Sequence, residues 1–241
     1  MTAGPDRRDL LISEDLMLLL LPESGKIPEI TPGLESALTG ALLVDLAEAG
    51  FIDILPGSDP ASPFVRPAEV PRPTDPMFVN AIALLGQKER PLSSALPILL
   101  PRLDDVLLVR LGNHGILHHR SSRFLGLFPT SSWQVLDPAP EERLRAEIGA
   151  VLDGGESVDV RTGTIIALLH GAEAAGQISP PLTWDDKVAQ QVAMAAWASA
   201  PIRDILEAAT ASAKHTTETA CATSDSATGA RVARASTWPD T

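Results

Sequence analysis

One short pattern occurs twice in this chain and narrows its fold more than any other feature. Residues 41–54 read ALLVDLAEAGFIDI and residues 106–119 read VLLVRLGNHGILHH. Each has Leu-Leu-Val, a Leu two positions on, a Gly four after that, and then an Ile-containing stretch. The first copy ends the clearest helical pattern, Leu34 to Ala49. There Leu34, Ala37, Leu38, Ala41, Leu42, Leu46 and Ala49 recur at three- and four-residue spacing, which stacks them on one helix face. Gly50 is placed to end that helix, because glycine takes the left-handed conformation of a helix C-terminus without strain. Phe51-Ile52-Asp53-Ile54 then reads as a short strand, closed by Leu55-Pro56-Gly57. The two units predict helix-glycine-strand hand-overs rather than a doubly wound α/β sheet. The arrangement also resembles a winged-helix element, and it is the ordinary way in which many helices hand over to strands.

The rest of the chain fits a mainly helical domain. Residues 1–9 read as a flexible start. Ser13 is placed as an N-cap, with Glu14 and Asp15 in the first turn, where acids complement the helix dipole. Leu16 to Leu21 then runs into the turn at Pro22 to Lys26. Seven prolines between Pro56 and Pro76 forbid long helix and predict a loop or extended edge segment. Helix is expected over Pro76–Leu85 and Leu92–Leu108, with starts or kinks at Pro91, Pro97 and Pro101. Phe124 to Phe128 and Ser132 to Val135 flank Pro129-Thr130-Ser131, which predicts a β-hairpin with an apolar tip. Asp137 to Glu142 opens a helix that runs to Leu152 and stops at Asp153-Gly154-Gly155. Further helices are expected over Asp159–Ala175, closing at Gly176, and over Thr183–Ala209, broken at Pro201. Residues 212–241 lack apolar periodicity and read as a disordered tail. The expectation is a single domain over residues 10–211.

Charge and composition exclude several classes of function. The 241 residues carry 19 Lys/Arg against 31 Asp/Glu, a net charge of −12. Duplex binding needs dense cations to displace counterions, so nucleic acid is not an expected partner. Aromatic residues are 4% of the chain with no Tyr, so the core must be aliphatic. The single Cys221 forms no intramolecular disulfide and no thiolate metal cage. The apolar run Leu16–Leu21 is far short of the roughly 20 residues that span a bilayer, and no signal-peptide cleavage pattern follows it. A cytoplasmic protein is expected, peripheral on a membrane at most.

Chemistry-bearing motifs are missing. There is no P-loop, nucleophile elbow or dinucleotide fingerprint. His114 and His118 have helical chelating spacing, but Gly115 and a strand start lie between them, so no metal is expected. The pairs Asp104/Asp105, Glu141/Glu142 and Asp185/Asp186 stand at expected helix starts and read as dipole partners, not catalytic pairs. His170 reads as a core or boundary residue. No catalytic residue, cofactor or metal is assigned, and the chain is expected not to be an enzyme.

One local feature opposes the global charge. From Arg102 to Arg123 there are four arginines, Arg102, Arg110, Arg120 and Arg123, and three histidines against two aspartates. This stretch abuts the apolar hairpin with Phe124, Leu125, Leu127, Phe128 and Trp133. Arginine holds phosphate bidentately, and an apolar tip enters a lipid interface. The combination fits a peripheral binder of anionic phospholipid. The alternative is that these apolar residues pack on the body, at a homo-oligomer contact, or against a protein client.

The succession LLISEDLMLLLLPESGKI, LTGALLVDLAEAGFIDI, LGNHGIL, RFLGLFPTSSWQVLDP and DVRTGTIIALLHG resembles the Golgi phosphoprotein 3 (GPP34) family, its actinobacterial branch above all. The resemblance covers about residues 10–210. It implies a central helical bundle, surrounding amphipathic helices and a protruding apolar β-hairpin, here Phe124 to Val135. It further implies a non-enzymatic adaptor that binds phosphatidylinositol 4-phosphate at a membrane, the Golgi membrane in eukaryotic members. In those members a Trp and three Arg shape the headgroup pocket. The matching positions here hold Ile30, Thr39, Pro101 and Asp104, with Arg102 close by.

Overall fold

A computed structural model describes residues 10–22, 24–25, 32–57, 62–99, 101–124, 128–154, 158–196 and 202–214. The first half supplies helices α1 (Ile12–Leu20), α2 (Pro32–Glu48), α3 (Pro76–Leu85), α4 (Leu92–Leu99) and α5 (Leu103–Asn113). The second half supplies α6 (Ala139–Leu152), α7 (Val160–Gly171), α8 (Asp186–Ala196) and α9 over residues 202–214. Strands β1 (Ile52–Leu55), β2 (Phe64–Pro67) and β3 (Arg90–Pro91) form one antiparallel sheet in the order β1-β2-β3. Strands β4 (Leu117–Phe124) and β5 (Phe128–Val135) form a separate two-stranded ribbon. This is the mainly helical domain with small sheets that the sequence predicts.

Two helices lie at the centre. Leu16 to Leu20 of α1 are all at most 2% exposed, so α1 has no solvent face. On α2 the expected stripe from Leu34 to Leu46 is buried, while Ala49 lies past the helix end and is exposed; Leu43, Val44, Ser36, Thr39 and Asp45 on the other sides of α2 are buried too. A helix buried all round belongs to the middle of a bundle, not its surface. Each fully buried Leu contributes about 1.5–3 kcal/mol relative to exposure, so these two helices carry much of the hydrophobic stabilisation.

One buried acid in that centre is satisfied across the bundle. Asp45 of α2 accepts from the Ile12 N–H at 2.7 Å, the Ser13 N–H at 3.0 Å and the Ser13 hydroxyl at 2.6 Å. These are donors of a helix start that have no partner within their own helix. Ser13 is therefore not the N-cap: Leu11 holds that position, and Ser13 lies inside the first turn. The cap comes from another helix, which local sequence does not reveal.

The repeated unit closes identically in both copies. Gly50 donates to the Ala47 carbonyl and Phe51 to the Leu46 carbonyl, at 3.0 and 2.9 Å. Gly115 donates to the Gly112 carbonyl and Ile116 to the Leu111 carbonyl, both at 3.0 Å. Both glycines have left-handed φ, +72° and +76°, as this double closure requires. Helix α7 closes the same way, from Glu173 to His170 at 3.1 Å and from Ala174 to Leu169 at 2.9 Å. There the left-handed residue is Glu173, φ +54°. The helix thus ends at Gly171, short of the expected stop at Gly176, because Glu173 takes the left-handed closing position.

Other expectations shift in detail. The Pro-rich stretch contributes β2, which is the central strand of its sheet and not an edge; Pro67 sits at its end, where proline is tolerated. The helical stretch from Leu92 breaks around Pro101, with Arg102 at φ +62°, and α5 continues to Asn113. Helix α9 extends to residue 214, beyond the expected boundary at 211. The starts called flexible at residues 1–9 and most of the expected tail, 215–241, lie outside the described residues.

Candidate functional site: the ribbon and the arginines of α5

The ribbon follows directly from the second hand-over. Helix α5 stops at Gly115, Ile116 and Leu117 bury themselves, and β4 leaves the body. The register pairs Leu117 with Val135, His119 with Trp133 and Phe124 with Phe128. The chain therefore reverses between Phe124 and Phe128, earlier than the Pro129–Ser131 turn expected from sequence. Pro129 is instead part of β5, opposite Arg123. A two-stranded ribbon has an open edge on both strands, where a residue without an N–H is tolerated. Leu125 and Leu127 lie outside the described residues.

Trp133 is an anchor at the base of this ribbon. Its N–H donates to the Gly25 carbonyl at 2.6 Å. A Cβ on Gly25, whose φ is +64°, would collide with the Trp133 backbone carbonyl. The indole is half-buried against the core, packs over Gly112 and meets the His119 ring with centroids 4.8 Å apart. Trp133 therefore holds the ribbon to α5 and the Gly25 turn, at the base of the hairpin in which it was expected. Five residue pairs continue beyond His119–Trp133, roughly 17 Å of ribbon at the usual strand rise.

The four arginines do not form one patch. Arg110 turns inward from α5. Its Nε donates to Glu14 Oε1 at 3.0 Å and its Nη1 to Asp75 Oδ2 at 2.6 Å. The acceptors are held in turn: Glu14 is fully buried and also accepts from the Leu11 N–H at 2.8 Å, while Asp75 Oδ1 caps α3 by accepting from Met77 at 2.8 Å. His114 Nε2 lies 3.2 Å from the same Glu14 oxygen. The acids beside Arg110 raise its pKa against the opposing effect of desolvation. Two ion-paired acceptors leave Arg110 poorly placed to take an external phosphate, so it is a structural cation and not a headgroup ligand.

Arg102 is exposed and forms an ion pair with Asp105 at 3.1 Å. Asp104 follows it in the first turn of α5, and its charge, after desolvation by burial, raises the pKa of Glu35. The surroundings of Arg102 are thus acidic. Arg120 is exposed on β4, next to exposed His118 and His119. Arg123 and Phe124 belong to β4 and Phe128 to β5. His118 is exposed on the strand while His114 is committed to Glu14, so the two diverge.

At the family's headgroup positions, Thr39 is 1% exposed and donates its hydroxyl to the Glu35 carbonyl at 2.8 Å within α2. Pro101 is exposed and Asp104 half-buried at the start of α5; Ile30 lies outside the described residues. The sequence missed the buried acids altogether. Glu14 and Asp15 are fully buried partners of Arg110 and Arg161, not solvated first-turn acids, and Arg161 Nε donates to Asp15 at 2.8 Å. The one available signal was their position immediately before an uninterrupted apolar run.

No helix among the described residues is long and apolar enough to cross a membrane. Among curated proteins no match is found. The family profile of Golgi phosphoprotein 3 (GPP34) matches residues 12–209, most of the chain and nearly all of the described fold. The chain belongs to the Golgi phosphoprotein 3 (GPP34) family.

Proposed function

We propose that this protein is a non-enzymatic peripheral-membrane adaptor that docks on anionic phospholipid through the β4–β5 ribbon. The observation that carries this reading is the exposed Arg120, with His118 on the same face of β4, on a ribbon whose base is fixed by Trp133. A fixed base gives the ribbon a defined direction, so cation and apolar tip reach a surface together. Arg120 and Arg123 supply the attraction to phosphate, with Arg102 as an outlying contributor. Phe124, Leu125, Leu127 and Phe128 supply the apolar contact. Charge rather than phosphoinositide identity governs the binding, because Thr39 and Asp104 replace headgroup arginines. The docking face is cytoplasmic. Vesicle flotation tests it: the protein rises with phosphatidylglycerol vesicles and not with neutral phosphatidylcholine, and Phe128→Asp abolishes the effect.

A second reading rests on a different observation. Among the described residues no third strand pairs with β4 or β5, and only the Trp133–Gly25 bond occupies the outer edge of β5; such edges accept further strands. The ribbon is then a homo-oligomer or client contact with no lipid involved. A dimer in solution that the same Phe128→Asp change dissociates, without any vesicle binding, favours it.

A further inference from the structure

Helix α3 has two apolar stripes. Met77, Phe78, Ala81 and Leu85 face the core and are buried. Val79, Ile82, Ala83 and Gly86, at i, i+3, i+4 and i+7, form a second stripe along a cleft of about 350 Å³. Val79 is 41% exposed there. A surface helix normally turns charge outward on that side.

The opposite wall is the segment after β2. Pro67, Pro71 and Pro73 line it together with Val70, which is 47% exposed. The segment is tied back by the Ala68 N–H to the Phe51 carbonyl at 2.9 Å and by a tight Val70-to-Ala68 bond at 2.9 Å. Proline fixes φ and loses little entropy on binding, so this wall is stiff and keeps the cleft open. The volume falls at the lower end of small-molecule sites, about 300–1,000 Å³.

One charged side chain lines the cleft, Arg72, which is exposed and makes no ion pair among the described residues. Gln87 adds an amide. A stiff apolar slot with one unpaired guanidinium complements a ligand with an apolar chain and one anionic head. From this juxtaposition we infer that the cleft between α3 and the Pro67–Pro73 segment binds a medium-chain carboxylate, the chain along Val79, Ile82 and Ala83 and the carboxylate on Arg72.

This site is separate from the ribbon and stands or falls independently of it. Calorimetric titration of the full chain with decanoate, below its micellar concentration, tests it. Saturable binding at one site is expected. Arg72→Glu weakens it about tenfold or more, and Ala83→Trp, which fills the slot from an exposed position, removes it. Met194→Trp, at an exposed position of α8 that does not line the cleft, leaves it unchanged. Thermal melts of all three variants matching the parent keep the comparison free of unfolding. Absence of saturable binding, equal binding of decyltrimethylammonium, or decanoate binding untouched by both cleft variants overturns the inference.

Discussion

Arg110 Nε donates to Glu14 Oε1 at 3.0 Å across ninety-six residues of sequence, and Arg110 Nη1 holds Asp75 Oδ2 at 2.6 Å. One guanidinium thus ties the start of α1, the cap of α3 and the end of α5. Because Glu14 is fully buried, removing Arg110 strands a charge in the core. Arg110→Ala is predicted to cost about 3–5 kcal/mol, read from urea unfolding midpoints. Glu14→Gln costs less, because Arg110 keeps Asp75 as a partner, and the double variant costs clearly less than the sum of the two, since no charge is then stranded at Glu14.

Asp45 gives the molecule a pH signature. Burial pushes its carboxyl up to about 7 against the opposing hydrogen bonds from Ser13 and Ile12 and the charge of Arg161. Its folded pKa lies above the unfolded value near 4, so the folded state binds the proton more tightly. The stabilising contribution is fully present below about pH 4 and is lost as pH rises toward 7, by up to about 1.4 kcal/mol per pH unit. Unfolding free energies of the parent and Asp45→Asn, measured from pH 4 to pH 8, are predicted to differ by an amount that changes across this window and levels off above it. A difference flat from pH 4 to pH 8 contradicts the assignment.

The ribbon depends on its base. Gly25→Ala places a methyl against the Trp133 carbonyl and strains a left-handed backbone, so it is predicted to disturb the ribbon attachment. Trp133→Ala removes a half-buried indole packed on Gly112 and His119, at a cost of about 2–3 kcal/mol. Hydrogen exchange is the direct readout: both changes raise exchange in β4 and β5 while α1 and α2 stay protected. Equal loss of protection throughout the fold contradicts a local anchor.

Legibility from sequence followed the range of the interactions. Both helix-glycine-strand units were readable because glycine, a local requirement, sets their closure. The stop of α7 was not, because Glu173 takes the left-handed role without a glycine signal. The carboxylate pairs at the starts of α5, α6 and α8 were read correctly from helix-dipole logic. Glu14 and Asp15 obeyed the same local logic yet are core residues, because what lies across from α1 is set by tertiary packing. The stretch from Arg102 to Arg123 reads as one cluster in sequence, but Arg110 leaves it in the fold. Arg110 and Arg102 are eight residues apart across the start and end of α5, and one faces the core while the other faces solvent. The ribbon was legible, but its reversal was displaced because Pro129 reads as a turn residue and is tolerated at an open strand edge.

In the proposed docking the ribbon, not the α5 arginines as a group, meets the anionic surface. Flotation of the parent, Arg120→Glu, Arg102→Glu and Phe128→Asp with phosphatidylglycerol and phosphatidylcholine vesicles tests it most directly. The predicted result is recovery on phosphatidylglycerol alone, strong loss for Arg120→Glu and Phe128→Asp, and a small loss for Arg102→Glu. Equal recovery on both vesicle types, or full recovery of Phe128→Asp on phosphatidylglycerol, contradicts it.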